Sequence, residues 1–122
     1  MSGLAVWAGV AALGAVGAVA RFAAASYLTA RTRSSFPVGT FTVNVTGAFA
    51  LGVLTGLGLS HDALMLAGTG FLGSYTTFST WMVEAERLGE AAERGRMWLY
   101  LLGSMAAGLA AAGAGWALGA AF

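Results

Sequence analysis

Apolar residues run along this chain in four long stretches, Leu4–Leu28, Val38–Leu59, Ala63–Leu88 and Met97–Ala120. Polar positions gather in the gaps between them. Arg31, Arg33, Ser34, Ser35 and Pro37 fill the first gap, Ser60, His61 and Asp62 the second, and Gly89 to Arg96 the third. A helix crosses a bilayer core with roughly 20 mostly apolar residues, so each stretch is long enough for one crossing. Lipid offers the backbone no hydrogen bonds, and a helix satisfies its own, so helix is preferred over strand despite the valines. The pattern predicts an all-α integral membrane protein, a single domain over residues 1–122 with four transmembrane helices.

The third stretch carries a local conflict. Gly73, Ser74, Thr76 and Thr77 are poor helix formers set close together. Counted from Ala63, they fall about 15 Å in, near the bilayer midplane. The spacing predicts a helix broken there, although a simple kink has the same composition. Unwound backbone at that depth is tolerated where it is buried in protein or lines a cavity. Its freed carbonyls suit a small hard cation such as sodium.

Composition agrees with the pattern. Of 122 residues, 58% are hydrophobic and 9% charged, and the mean hydropathy is +0.78. A soluble domain carries about 25% charged residues, so most of this surface is built for lipid. Cysteine is absent and His61 is the single histidine, which excludes disulfides and argues against a histidine-rich metal centre. A net charge of +1 gives no footprint for nucleic acid. The stretch from Leu4 has no basic segment before it and three like it after, so it reads as a first span and not as a signal peptide.

Charge also sets an orientation. With four spans the first and third loops share one face, which holds Arg31, Arg33, Arg87, Arg94 and Arg96, while the other face has no arginine or lysine. The positive-inside rule puts that face in the cytoplasm and both termini outside. Glycines recur at small-residue spacings, as in Gly52–Gly56 and Gly115–Gly119, the pattern by which helices pack closely in lipid. Four such helices make a thin bundle, so transport would favour an oligomer.

Polar groups inside a bilayer each need a reason. Measured from the arginine-bearing face, Asn44 lies about 9 Å deep, Phe78 and Trp81 about 15 and 10 Å, and Tyr100 and Ser104 about 5 and 10 Å. Thr40 and Asn44 share one helical stripe, as do Tyr100, Ser104 and Gly108, and Phe78 and Trp81 share a face. Groups from three helices therefore meet at one level, where they can line a single path. The rings also fit plain packing, and serine or threonine hydroxyls can bond back to their own helix. The Asn44 amide cannot be satisfied in full that way. Arg21, about 10 Å deep, either snorkels outward or anchors polar groups. Glu84 lies near the arginine-bearing mouth.

Over nearly its whole length the chain resembles the Fluc (CrcB-type) fluoride channels. The matching pieces are Gly17-Ala18-Val19-Ala20-Arg21-Phe22, then Pro37-Val38-Gly39-Thr40-Phe41-Thr42-Val43-Asn44 with Gly47, Phe49 and Gly52. The third helix adds Gly70-Phe71-Leu72-Gly73, Thr76-Thr77-Phe78-Ser79-Thr80 and Glu84. The resemblance implies an antiparallel, dual-topology dimer with two fluoride pores. It also implies a central structural Na+ that is not transported, held by the backbone carbonyls of Gly73 and Thr76 from both subunits. Asn44 matches the pore asparagine, Phe78 the first of two pore phenylalanines, Tyr100 and Ser104 a polar track, and Arg21 a buried structural arginine. Trp81 stands in place of the second phenylalanine and Gly108 in place of a polar-track serine. The arginine bias departs from a sequence that must insert both ways, so the partner is either a second copy or a paralogue of opposite orientation.

Fluoride is compact and strongly hydrated, so a pore must replace its water with small donors. The Asn44 amide and the hydroxyls of Thr77, Thr80 and Ser104 do this without fixed charge, and the positive ring edges of Phe78 and Trp81 can face an anion. The expected function is passive, selective fluoride efflux across the cell membrane, conferring fluoride resistance. Two other classes compete. A small proton-coupled multidrug exporter would need a carboxylate in the first helix, and Leu4–Leu28 has none. A non-transporting scaffold subunit would leave the shared depth of Asn44, Phe78 and Ser104 unexplained. No nucleophile–base pair or phosphate loop points to an enzyme.

Overall fold

The computed structural model describes all residues, 1–122, and is helical throughout, with no strand. Helix α1 spans Gly3–Arg31 and starts where the Ser2 hydroxyl accepts from the Ala5 N–H. Such a cap satisfies one of the orphan amides of the first turn. Helix α2, Val38–Gly56, begins behind Pro37, whose ring cannot donate to a preceding turn. Gly58, in the left-handed region at φ +67°, turns the chain out of it. Ser60 then caps the short α3, His61–Ala63.

From here the third apolar stretch departs from one continuous helix. It opens as a π-helix over Leu64–Leu72, passes through the single turn of α4, Gly73–Tyr75, and then breaks. Thr76 is extended (ψ 158°), and α5 resumes at Ser79 and runs to Glu90. The break thus falls at Thr76–Phe78, and Gly73 remains helical. Glycine is merely a weak helix former, whereas Thr77 is pulled out of register by a side chain on another helix. Helix α6, Arg94–Ala120, completes the chain. Helices α1, α2 and α6 are each long and apolar enough to cross a membrane.

Three of the boundaries move from their expected places. Helix α1 runs on to Arg31 and α6 begins at Arg94, because helical backbone continues past the apolar core while arginine heads reach for water. Helix α2 stops at Gly56, short of Leu59, where the Gly58 turn intervenes.

Glycine seams hold the bundle. Helices α2 and α6 approach so closely that a Cβ on Gly52 or Gly56 would strike the carbonyls of Ala112 or Trp116. On the facing helix, Gly115 and Gly119 lie equally hard against the carbonyls of Phe49 and Val53. The two pairs predicted as packing surfaces are therefore the two sides of one seam. Helix α1 crosses the π segment in the same way, with Gly17 against the Phe71 carbonyl and Gly70 against Val10. Where backbones touch, dispersion supplies the attraction that the hydrophobic effect cannot supply in lipid.

Contacts at the two ends fix which loops lie together. The amino terminus pairs with Asp62 at 3.4 Å, so the chain start and the α2–α3 turn share one end. At the other, the Arg96 guanidinium donates to Ser34 (3.2 Å) and Ser35 (2.6 Å), and the Ser35 hydroxyl donates to Glu93 (2.9 Å). The first and third loops are thus neighbours. Large apolar side chains such as Leu4, Val16, Phe22, Leu109 and Trp116 cover the outside.

Candidate functional site

The break in the third stretch is built by two side chains from other helices. Asn44 on α2 holds the Thr77 backbone by both ends of its carboxamide: Nδ2 donates to the Thr77 carbonyl (2.9 Å) and Oδ1 accepts from the Thr77 N–H (2.8 Å). Arg21 on α1 donates through Nε to the Ser74 carbonyl (3.1 Å). In an unbroken helix the Thr77 and Thr80 amides would reach back to the carbonyls of Gly73 and Thr76. Here the Thr77 amide goes to Asn44, and the Thr80 amide goes to the Thr77 hydroxyl, which caps α5 (3.2 Å). The carbonyls of Gly73 and Thr76 are left without their helical donors. Both residues line an open groove with Gly47, Ala48, Gly68 and Thr69, and Gly73 is exposed on the outside of the chain.

A second cavity, of about 380 Å³, opens between α2, α5 and α6. Its polar members are Asn44, Trp81 and Ser104; Ala48, Met105, Gly108, Leu109 and Ala112 supply the apolar wall. The Ser104 hydroxyl and the Trp81 Nε1–H are buried and have no hydrogen-bond partner in the chain. Ser104 has neighbours on its own helix to which it could bond back, and it does not do so. Buried donors rarely stay unpaired, since each then forfeits its hydration for nothing. Asn44 contributes a third donor, because its clamp on Thr77 uses only one of the two Nδ2–H groups. The wall carries no charged residue.

The remaining predicted residues sit around this cavity and not in it. Phe78 is 69% exposed on the outside of the chain, but its ring meets Trp81 edge to face at 5.6 Å. The Thr77 hydroxyl oxygen accepts the α5 cap bond from the Thr80 N–H. Thr80 lines a shallow surface depression with Ser79, Glu84 and Arg87. Tyr100 is fully buried one turn toward the arginine-bearing end, where Thr40 lies beside it and its hydroxyl donates to Glu84 (3.3 Å). Thr40 is itself buried. Helical spacing placed Tyr100 and Ser104 on one stripe correctly, but the α5 packing separates their surroundings. Trp81 spans both, packing against the Tyr100 core and lining the cavity with Ser104.

Spacing alone did not reveal the Thr46–Tyr75 hydroxyl contact (3.1 Å) or the stacking of Tyr75 on Phe71 at 5.8 Å. Both stiffen the face around the break. Tyr75 two residues before the clamped Thr77 was the only available signal.

Residues 8–116 match the family described as CrcB-like protein, Camphor Resistance (CrcB). A Mycobacterium tuberculosis protein named "Fluoride-specific ion channel FluC 2" is 50% identical over 109 residues, 89% of this chain and 86% of its own. Proteins of the same name from Mycolicibacterium paratuberculosis and Bacillus cereus are 54% identical over 90 residues and 41% over 110. Those alignments cover 74% and 90% of this chain, and 74% and 93% of the relatives.

Proposed function

This chain belongs to the CrcB-like family, and we propose that it works as a fluoride-selective channel, letting fluoride leave the cell passively. It is a multi-pass membrane protein and not an enzyme. The observation that carries the pore reading is the uncharged cavity in which the Ser104 and Trp81 donors have no partner and the Asn44 amide has one N–H to spare. An anion entering it would complete these groups at once. A fixed cation would bind fluoride more tightly but release it slowly, and a channel needs both steps.

The finer architecture is part of the same proposal. The third stretch, pieced together from α3 to α5, makes the fourth crossing. The exposed Gly73 and Phe78 faces meet an antiparallel partner, either a second copy or a paralogue of opposite orientation. Phe78 then turns its ring edge toward the anion path, and Thr80 lies along the approach to it. Thr40 and Tyr100 shape the arginine-bearing mouth, and Arg21 holds the backbone in place.

The donor set at the break also fits a structural Na+. Carbonyl oxygens are hard ligands, and two per protomer, those of Gly73 and Thr76, have lost their helical donors to other groups. When bound, the ion would supply a fixed positive charge and cross-link the two breaks. The protein's own task is to keep those carbonyls turned away from helical pairing, which Asn44 and the Thr77 hydroxyl do.

Fluoride release from proteoliposomes under an imposed potential tests the function. Vesicles holding every required subunit should release fluoride and retain chloride. Vesicles that keep their fluoride would defeat the proposal.

A further inference from the structure

We infer that Tyr75 is a positioning residue for the break: tethered to Thr46, its side chain holds the freed carbonyls of Gly73 and Thr76 in one arrangement and so sets how tightly they take sodium. The inference rests on the structural-sodium reading above.

The two freed carbonyls stand on either side of Tyr75 in the chain, between two clamps. Arg21 Nε holds the Ser74 carbonyl (3.1 Å), and Asn44 holds Thr77 by both its backbone groups. A peptide unit is planar, so the first clamp fixes the plane joining residues 74 and 75. The second fixes the plane joining 76 and 77, to which the Thr76 carbonyl belongs. Between these planes lie the soft dihedrals of Tyr75 and Thr76. The Thr76 amide and hydroxyl both bond back to the Leu72 carbonyl at 3.0 Å, which ties them to their own segment and to no other helix. Tyr75 supplies that tie.

Its ring is held at both ends. The face stacks on Phe71 of the π segment, with centroids 5.8 Å apart and planes 13° apart. The hydroxyl lies 3.1 Å from that of Thr46 on α2. Thr46 decides the polarity of this bond, because its single O–H proton goes to the Thr42 carbonyl at 2.7 Å. Tyr75 therefore donates and Thr46 accepts. Gly47 leaves room for the approach: a Cβ there would strike the Thr76 methyl and stand 3.2 Å from Tyr75 Cδ2. Tyrosine has two side-chain torsions, and a stack together with a bond at the tip restrains both. Ligand groups held in place before an ion arrives bind it more tightly, since less ordering remains to be done. Phenylalanine at this position would keep the stack and lose the tether.

The test uses the full chain, with any required partner subunit, melted in detergent across a sodium chloride series, with choline chloride holding ionic strength constant. A ligand that binds only the folded state raises the melting temperature once its concentration passes Kd. The onset of that rise therefore reads sodium affinity separately from intrinsic stability. Y75F should move the onset to about fivefold higher sodium, the scale of one neutral hydrogen bond. T46V should do the same, and the double variant should add nothing further, because all three remove one bond. Thr46 is exposed on α2, so T46V keeps the test decisive if Y75F misfolds. An onset that stays in place while melting falls equally at every sodium concentration makes the bond purely structural and overturns the inference. A double variant whose shift is the sum of the two singles overturns it as well. A wild type whose melting ignores sodium refutes the sodium reading itself, and this inference with it.

Discussion

The side chain of Asn44 replaces a helical turn for Thr77. It gives the Thr77 carbonyl a donor and the Thr77 N–H an acceptor, at 2.9 and 2.8 Å, from a helix 33 residues away in sequence. The break is thereby stable in a solvent that would otherwise make it costly. The same clamp frees the Gly73 carbonyl and leaves one Nδ2–H unspent on a residue that lines the cavity, so the groove and the cavity share one residue.

Replacing Asn44 by alanine should accordingly damage both. Two backbone groups lose their partners inside the bundle, a cost of about 2–4 kcal/mol. The N44A variant is expected to melt at lower temperature in detergent and to lose at least about tenfold in fluoride efflux, the factor for each 1.4 kcal/mol. Thermal unfolding alongside liposome flux checks this. An unchanged melting point would show that the clamp does not hold the break.

Ser104 should behave differently. Its hydroxyl has no partner in the protein, so S104A removes no intramolecular bond. Stability should stay within about 0.5 kcal/mol of wild type, while fluoride efflux falls about tenfold. A drop in melting temperature matching the drop in flux would instead make Ser104 a packing residue.

The α2–α6 seam predicts a contrast between two glycines. A methyl on Gly52 would press on the Ala112 carbonyl, whereas nothing lies within 4 Å of one on Gly113. G52A should cost about 1–3 kcal/mol as the helices are pushed apart, and G113A should be close to neutral. Comparing the two melting curves decides it. Equal melting temperatures would mean that the contact with Ala112 does not decide the cost, since helix propensity favours alanine at both positions.

Orientation is open to direct measurement. The arginine-bearing end, where Arg96 joins Ser34 and Ser35, should face the cytoplasm, leaving both termini outside. Single cysteines introduced at Ser2 and at Ser35 report this through a membrane-impermeant thiol reagent applied to intact cells. Ser2 should label and Ser35 should not. Labelling of both at comparable rates would indicate insertion in two orientations and favour a dimer of identical chains.

Much was legible without coordinates, because lipid imposes strong rules on sequence. Long apolar stretches and clustered arginines announced helices and their ends, since a backbone in lipid must bond to itself and a guanidinium must reach water. The small-residue spacings of Gly52–Gly56 and Gly115–Gly119 announced close packing in the same way. Which surfaces would meet across that seam was not written in either pattern alone.

Depth and helical stripe brought Asn44, Trp81 and Ser104 to one level, and these three do line one cavity. What one-dimensional spacing could not assign was the partner of each polar atom. The Thr77 hydroxyl oxygen accepts from the Thr80 N–H in a bond that does not use its O–H, and Phe78 faces outward from its own chain. Within the run predicted to break, Gly73 to Thr77, the unwinding falls at its far end, at Thr76–Phe78, because a carboxamide on another helix competes for the Thr77 amide. Intrinsic propensity can only make such a segment easy to unwind. Where it unwinds, and which donors remain unspent, is settled by contacts between residues far apart in the chain.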